Sequence, residues 1–289
     1  MLRNVSAVIN RLKNNRWEKK LIDKKNPVTF LEQLAFSFLI MHIQSLTSIK
    51  IKMIIVVFAM IVVFVSCAGP KNSAVKKEIS VLIVGGGSSH DFDRWFNIED
   101  SKTLSRDGLA NVVYTSNTDS IAYYLFKTDV LYLSNNQPIK DLKVRQSILD
   151  FANAGKGLIL GHPALWYNWK DWPEYNLQLV SGGARGHDRY GNFQVDVVNT
   201  DHPVTQGVEK QFTIKDERYY YLPDVAGPGI EVLANNSVAG SDKIYPSIFV
   251  VKHPTARIVG IALGHDAASH KFPEYQLLLR NAIKWVSKK

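Results

Sequence analysis

From residue 79 onward this chain alternates two hydrophobic periods. Short continuous apolar runs, of the kind buried on both faces of a parallel sheet, take turns with helical spacing. Ser80-Val81-Leu82-Ile83-Val84 is the first run, and Phe92, Trp95, Phe96 and Leu104 then recur at helical intervals until Gly108. Asn111 to Thr115 predicts a second strand, Ser120 to Phe126 a short helix, and Asp129 to Leu133 a third strand. Leu142 to Ala154 predicts an amphipathic helix with Val144, Ile148, Leu149 and Phe151 on its apolar side. Leu158-Ile159-Leu160 is the next buried run. It stops on Gly161-His162-Pro163, because proline lacks the N–H that a central strand needs.

Beyond Trp172 the pattern changes. Pro173 to Val180 predicts a helix, and Ala184 to Gly191 a polar loop. Phe193, Val195 and Val197 alternate with polar residues, which predicts a half-exposed strand. Phe212 to Tyr221, Glu231 to Ala234 and Tyr245 to Lys252 predict further strands, some antiparallel. Arg257 to Leu263 is again a buried run, and Tyr275 to Val286 closes the chain as an amphipathic helix. The expected fold is α/β, a doubly wound, mostly parallel sheet with an inserted β-rich antiparallel segment.

The first quarter reads differently. Residues 1–52 are mixed and basic, and are expected to be a disordered or upstream extension ending in a positive n-region at Lys50 and Lys52. Met53 to Val65 is an unbroken apolar run of 13 residues, short of the roughly 20 a spanning helix needs but suited to a signal peptide. Val65-Ser66-Cys67-Ala68 then resembles the lipobox of bacterial lipoproteins, with Phe64 where leucine is usual. Residues 53–67 are therefore expected to direct export, with Cys67 lipidated as a membrane anchor. A short uncleaved anchor is the other reading. Residues 68–77 are small and polar, as a linker should be, and residues 78–289 form the folded domain.

Charge follows the same division. The formal net charge is +9 over 289 residues, but ten Lys/Arg and only three acids lie in residues 1–67. The domain itself is close to neutral and has no basic run, which argues against a nucleic-acid partner. Cys67 is the single cysteine, so the domain has neither a thiol nucleophile nor a cysteine-based zinc site.

Three buried runs end alike: Gly87 leading to His90-Asp91, Gly161-His162-Pro163, and Gly264-His265-Asp266. Ligands of open parallel sheets bind beyond the carboxyl ends of the strands, so these residues are expected to share one site. Asp216-Glu217 and Arg185-Gly186-His187-Asp188 are candidates to join them. His90, His162, Glu217, His265 and Asp266 suit general acid/base work. His90, His162 and His265 equally suit a divalent metal such as zinc. Trp166, Trp169 and Trp172 offer faces for sugar rings, with Asp91, Lys170, Asp171, Arg185, His187, Asp188 and His270 as polar contacts. His202 and His253 each precede a proline in a turn and are read as structural.

These stretches resemble the trehalose-utilisation (ThuA-like) family. The resemblance rests on Val84-Gly85-Gly86 with His90-Asp91, and on Asn153-Ala154-Gly155-Lys156-Gly157 running to His162-Pro163-Ala164 and Trp169. Gly182-Gly183 with His187, Asp201-His202-Pro203-Val204, Asp216-Glu217 and Gly264-His265-Asp266 add to it. It covers about Ile79 to Trp285. It implies a flavodoxin-like sheet related to that of class I glutamine amidotransferases, whose nucleophilic cysteine sits on the turn after a central strand. Here that turn is Gly161-His162-Pro163, so the resemblance implies the fold without amidotransferase chemistry. It also implies a carbohydrate ligand, such as a disaccharide or keto-sugar. Three functions stay open at this point: a hydrolase or isomerase acting on that sugar, a non-catalytic sugar-binding lipoprotein, and an assembly protein whose aromatic mouth docks a partner.

Overall fold

The computed structural model describes residues 78–166 and 170–288. The expectations for residues 1–77, Cys67 among them, and for Trp169 lie outside the described residues. Among these residues no helix is long and apolar enough to cross a membrane.

Strand β1 (Ile79–Val84) leads into helices α1 (Asp93–Asp100) and α2 (Ser101–Ser105), which run end to end. β2 (Ala110–Thr115), α3 (Ile121–Leu125), β3 (Val130–Leu133), α4 (Leu142–Asn153) and β4 (Gly157–Gly161) follow. A single helical turn, His162–Leu165, leaves β4. Then come α5 (Tyr175–Val180), β5 (Gly182–His187), β6 (Gly191–Val197), β7 (Gln211–Asp216), β8 (Tyr219–Pro223), β9 (Ile230–Ser237) and β10 (Tyr245–Val251). β11 (Ile258–Ile261), α6 (Ala267–His270) and α7 (Pro273–Val286) close the domain.

The main sheet has nine strands in the order β2-β1-β3-β4-β11-β10-β9-β6-β7. The first five are mutually parallel, and the last four pair antiparallel. β1, β3, β4 and β11 are buried almost throughout because helices cover both faces, while β2 at the edge is largely exposed or half-buried. On one face α1, α2 and α7 bury Trp95, Phe96, Leu104, Leu278 and Ile283. On the other, α3, α4 and α5 bury Ile121, Ile148, Phe151 and Leu179. The α/β doubly wound fold with an antiparallel insertion is the one the hydrophobic pattern predicts.

Two predicted elements need correction. The supposed loop at residues 184–191 begins as β5, which pairs antiparallel with β8 in a separate two-stranded sheet. Its glycines hid it: a Cβ on Gly182 would lie 2.3 Å from the Leu222 carbonyl oxygen, so only glycine allows the strands so close. The supposed single strand from Phe212 to Tyr221 is two, β7 and β8, in different sheets. Asp216 and Glu217 thus stand at the break where the chain changes sheets, not in mid-strand. Three strands separate β7 from β11, so a flat sheet would hold them about 19 Å apart at roughly 4.8 Å per strand. Yet the Gly264 N–H donates to Asp216 Oδ2 at 2.8 Å. The antiparallel half therefore curls back over the carboxyl ends of the parallel strands.

Candidate functional site

Four parts of the chain deliver four side chains to one point beyond the parallel strands. His90 comes from the loop after β1, and His162 from the turn that leaves β4. His265 follows β11, and Glu217 is brought by the curl of β7. One donor atom from each lies within 4.8 Å of the others. His265 Nδ1 is 3.2 Å from both Glu217 Oε2 and His90 Nε2. His162 Nε2 is 3.4 Å from the same Glu217 oxygen. His162 is wholly buried, its ring stacked on Tyr219 at 3.9 Å between centroids and its Nδ1 2.7 Å from the Ala262 carbonyl oxygen. His90 holds Ser88 in the same way, Nδ1 to carbonyl oxygen at 3.1 Å.

The electrostatics are uneven. Burial acts to raise the Glu217 carboxyl, but hydrogen bonds and charge from His162 and His265 outweigh it and hold the group well below the usual carboxylate range. The bond to Glu217 raises His265 against its burial. Burial, then the neighbouring His162, lowers His90 to about 4, so this imidazole is neutral at neutral pH. Burial, then the negative charges of Glu217 and Asp216, pushes the Tyr219 hydroxyl well above its ordinary value. An anionic carboxylate among imidazoles can accept and return a proton. Three nitrogens and one oxygen can also hold a divalent metal.

Around the cluster stand residues that could meet a ligand. Trp166 is half-buried, 5.4 Å from the Tyr219 ring and 5.6 Å from the exposed His187. His187 Nδ1 is 3.8 Å from Glu217 Oε1 and 2.7 Å from the Asp188 carbonyl oxygen. The partly exposed Tyr190 places its ring 5.6 Å from His265. The sequence had not singled out Tyr190, whose place depends on how the loop between β5 and β6 folds back.

Other expected residues do other work. Asp266 does not join the cluster; it caps α6 through the Ala268 N–H at 2.8 Å and accepts from the Tyr190 hydroxyl at 2.7 Å. Asp91 is exposed and accepts from the Arg94 N–H at 3.1 Å, capping α1. Asp188 is held by Arg218 Nε at 2.6 Å and by the Tyr220 hydroxyl. Arg185 is exposed on β5. Asp171 is ion-paired with Arg145, and Trp172 is buried against Tyr175 rather than forming a mouth. His270 is also a correction. Wholly buried, it bonds Asp100 Oδ1 at 2.7 Å and the Gly264 carbonyl oxygen at 3.0 Å, so no substrate can reach it.

Asp216, a candidate beside Glu217 in the sequence, supports the cluster from behind rather than entering it. Its carboxylate is fully buried and accepts from the N–H groups of Gly264 at 2.8 Å, His265 at 3.2 Å and Glu217 at 2.7 Å, and from the Ser269 hydroxyl. It ties two of the cluster's residues together through their backbones.

Known proteins match this arrangement at the level of fold. A putative ThuA-like protein from Parabacteroides merdae ATCC 43184 superimposes with a TM-score of 0.65 at 18% identity, covering 73% of this chain and 91% of that one. A second, from Bacteroides uniformis ATCC 8492, gives 0.62 at 20% identity, covering 75% and 95%. A cytoplasmic protein from Salmonella typhimurium LT2 gives 0.53 at 12% identity, covering 73% and 100%. No curated protein matches the chain. The family model described as trehalose utilisation matches residues 80–286, which takes in all of the sheet but its first residue and every residue of the cluster. The chain belongs to the ThuA family.

Proposed function

We propose that this protein is an exported enzyme that hydrolyses or isomerises a carbohydrate, a disaccharide or keto-sugar, at the cluster of His90, His162, Glu217 and His265. One observation carries the reading: three imidazoles and a carboxylate from four separate stretches meet with donor atoms within 4.8 Å. Gathering partly buried ionisable groups costs solvation, and such gatherings concentrate at functional sites. The family's link to trehalose utilisation supports a sugar as substrate. Trp166 beside His187 offers a ring face of the kind sugars stack on.

Breaking a glycosidic bond, or moving a carbonyl along a sugar, requires a proton to leave one oxygen or carbon and arrive at another. Glu217 and the histidines are groups able to carry it, with or without a divalent metal polarising the sugar oxygen. Amidotransferase chemistry has no nucleophile here, since the turn after β4 carries His162 and Pro163. His162 and His90 spend only Nδ1 on backbone carbonyls and turn Nε2 toward the cluster, which favours chemistry over packing. Export is supported by the apolar run at residues 53–65 and by Cys67, whose lipidation would anchor the protein. Cys67→Ser should then move the protein from the membrane fraction to the soluble one; unchanged fractionation refutes the anchor.

The function is tested by incubating the purified protein with a panel of disaccharides and their keto derivatives and resolving the products chromatographically. Conversion is expected, falling about 100-fold or more in Glu217→Gln and in His162→Ala. Sugar binding without conversion, surviving both substitutions and lost in Trp166→Ala, would instead identify a carbohydrate-binding lipoprotein.

A further inference from the structure

We infer that His90 Nε2, His162 Nε2, His265 Nδ1 and Glu217 Oε2 form a site for one divalent cation of the zinc type. The inference rests on the cluster being the working centre and names what that centre holds.

A count of protons leads to it. The Ala262 carbonyl oxygen can only accept, so the His162 nitrogen 2.7 Å away carries its hydrogen on Nδ1. In the neutral ring, Nε2 is then left with a lone pair. Ser88 fixes His90 in the same tautomer at 3.1 Å. Two imidazole lone pairs and a carboxylate therefore face one another. Among the four donor atoms, only His265 Nδ1 can offer a hydrogen, and it stands 3.2 Å from two of the acceptors at once. With that ring neutral, His162 Nε2 and Glu217 Oε2, 3.4 Å apart, oppose lone pair to lone pair. One proton among three acceptors leaves the group under-satisfied, and a cation satisfies all four atoms together.

The spacing agrees. Ligands about 2.0–2.1 Å from a tetrahedral zinc stand about 3.3–3.4 Å apart. Three of the six pairs here measure 3.2, 3.2 and 3.4 Å, and all six lie within 4.8 Å, so small side-chain adjustments would close the set on one ion. The set is three nitrogens and one oxygen. Calcium and magnesium take oxygen ligands, so the set favours zinc or a similar transition metal.

Behind the four stands a second layer that metal ligands characteristically have. Asp216 accepts the N–H of His265 and of Glu217 and so fixes two ligands at once. Gly264, which leads into His265, is held from both sides. Asp216 takes its N–H at 2.8 Å, and His270 Nε2 donates to its carbonyl oxygen at 3.0 Å. Asp100 holds His270 in turn. These are positioning residues that touch no ligand.

The experiment uses the full chain, stripped with a chelator and titrated calorimetrically with Zn²⁺ and with Co²⁺ alone. One ion per chain is expected, and the Co²⁺ complex should show the visible absorption of a low-coordinate nitrogen–oxygen site. Glu217→Gln, which keeps the side chain's shape, and His162→Ala should weaken binding more than about 100-fold, and Asp216→Asn by about 10–100-fold with an altered Co²⁺ spectrum. His187→Ala, whose Nδ1 is engaged by Asp188, should keep one ion. Failure of the wild type to take up an ion overturns the inference, as does undiminished binding by Glu217→Gln. If His162→Ala does not fold, Glu217→Gln and the spectrum still decide. Sugar turnover that persists unchanged after chelation would refute the metal and leave the enzyme reading standing. A bound metal with no turnover would do the reverse.

Discussion

At Gly264 the backbone runs at a φ of +125°, a region that side chains rarely adopt. An added Cβ would also stand 3.3 Å from the Tyr275 hydroxyl. Gly264→Ala should therefore cost about 1–3 kcal/mol in denaturant unfolding. Because the residue leads into His265, it should also impair activity beyond what that loss of stability explains. His270 bears on the same peptide from below. Both of its ring nitrogens face acceptors, Asp100 and the Gly264 carbonyl, so the ring carries two protons. Burial alone would lower its pKa, but the Asp100 carboxylate outweighs this and raises it. A raised folded value means that the stabilisation is complete below the unfolded value of about 6.5 and is lost as pH rises through the folded one. His270→Ala leaves Asp100 buried without its cation. Its cost, about 3–5 kcal/mol at pH 6, should shrink as unfolding is followed towards alkaline pH. A constant difference across pH would mean that the ring is not charged in the fold.

At the scale of elements, legibility tracked burial. β1, β3, β4 and β11 are unbroken apolar runs because helices cover them on both faces, and such runs are visible without knowing what covers them. β5 was invisible because its glycines answer to the approach of β8 rather than to any apolar face. Gly182→Val, with its Cβ directed at the Leu222 carbonyl oxygen, should break that pairing. Faster exchange of the β5 and β8 amides, with those of β1 and β3 unchanged, would report it. The break between β7 and β8 was missed because no glycine or proline marks it. Apolar Phe212 and Ile214 run straight on to Tyr219 and Tyr221 through Glu217 and Arg218. The histidines at the ends of β4 and β11 were legible because a parallel sheet brings such ends together. His270 was misjudged because a short helix in sequence does not say which of its residues turns inward.

For the molecule as a whole, the charge that dominates the composition lies mostly outside the domain, in residues 1–67. The domain's chemistry is local, and it depends on closure. Glu217 belongs to the far edge of a nine-stranded sheet, and only the curl of the antiparallel half carries it to histidines on the parallel half. The site therefore does not exist in any partly folded state that has only the parallel strands, however complete their core. Whatever binds there joins the far edge of the sheet to its parallel half like a clasp. Its binding energy must appear as resistance of β7 to opening, since only the closed form binds it. Hydrogen exchange in β7, an edge strand expected to fray early, should slow on saturation with ligand, while β2 at the opposite edge keeps its own rate. Through that asymmetry, a small molecule bound over the parallel strands would decide how long the edge strand β7 stays in place.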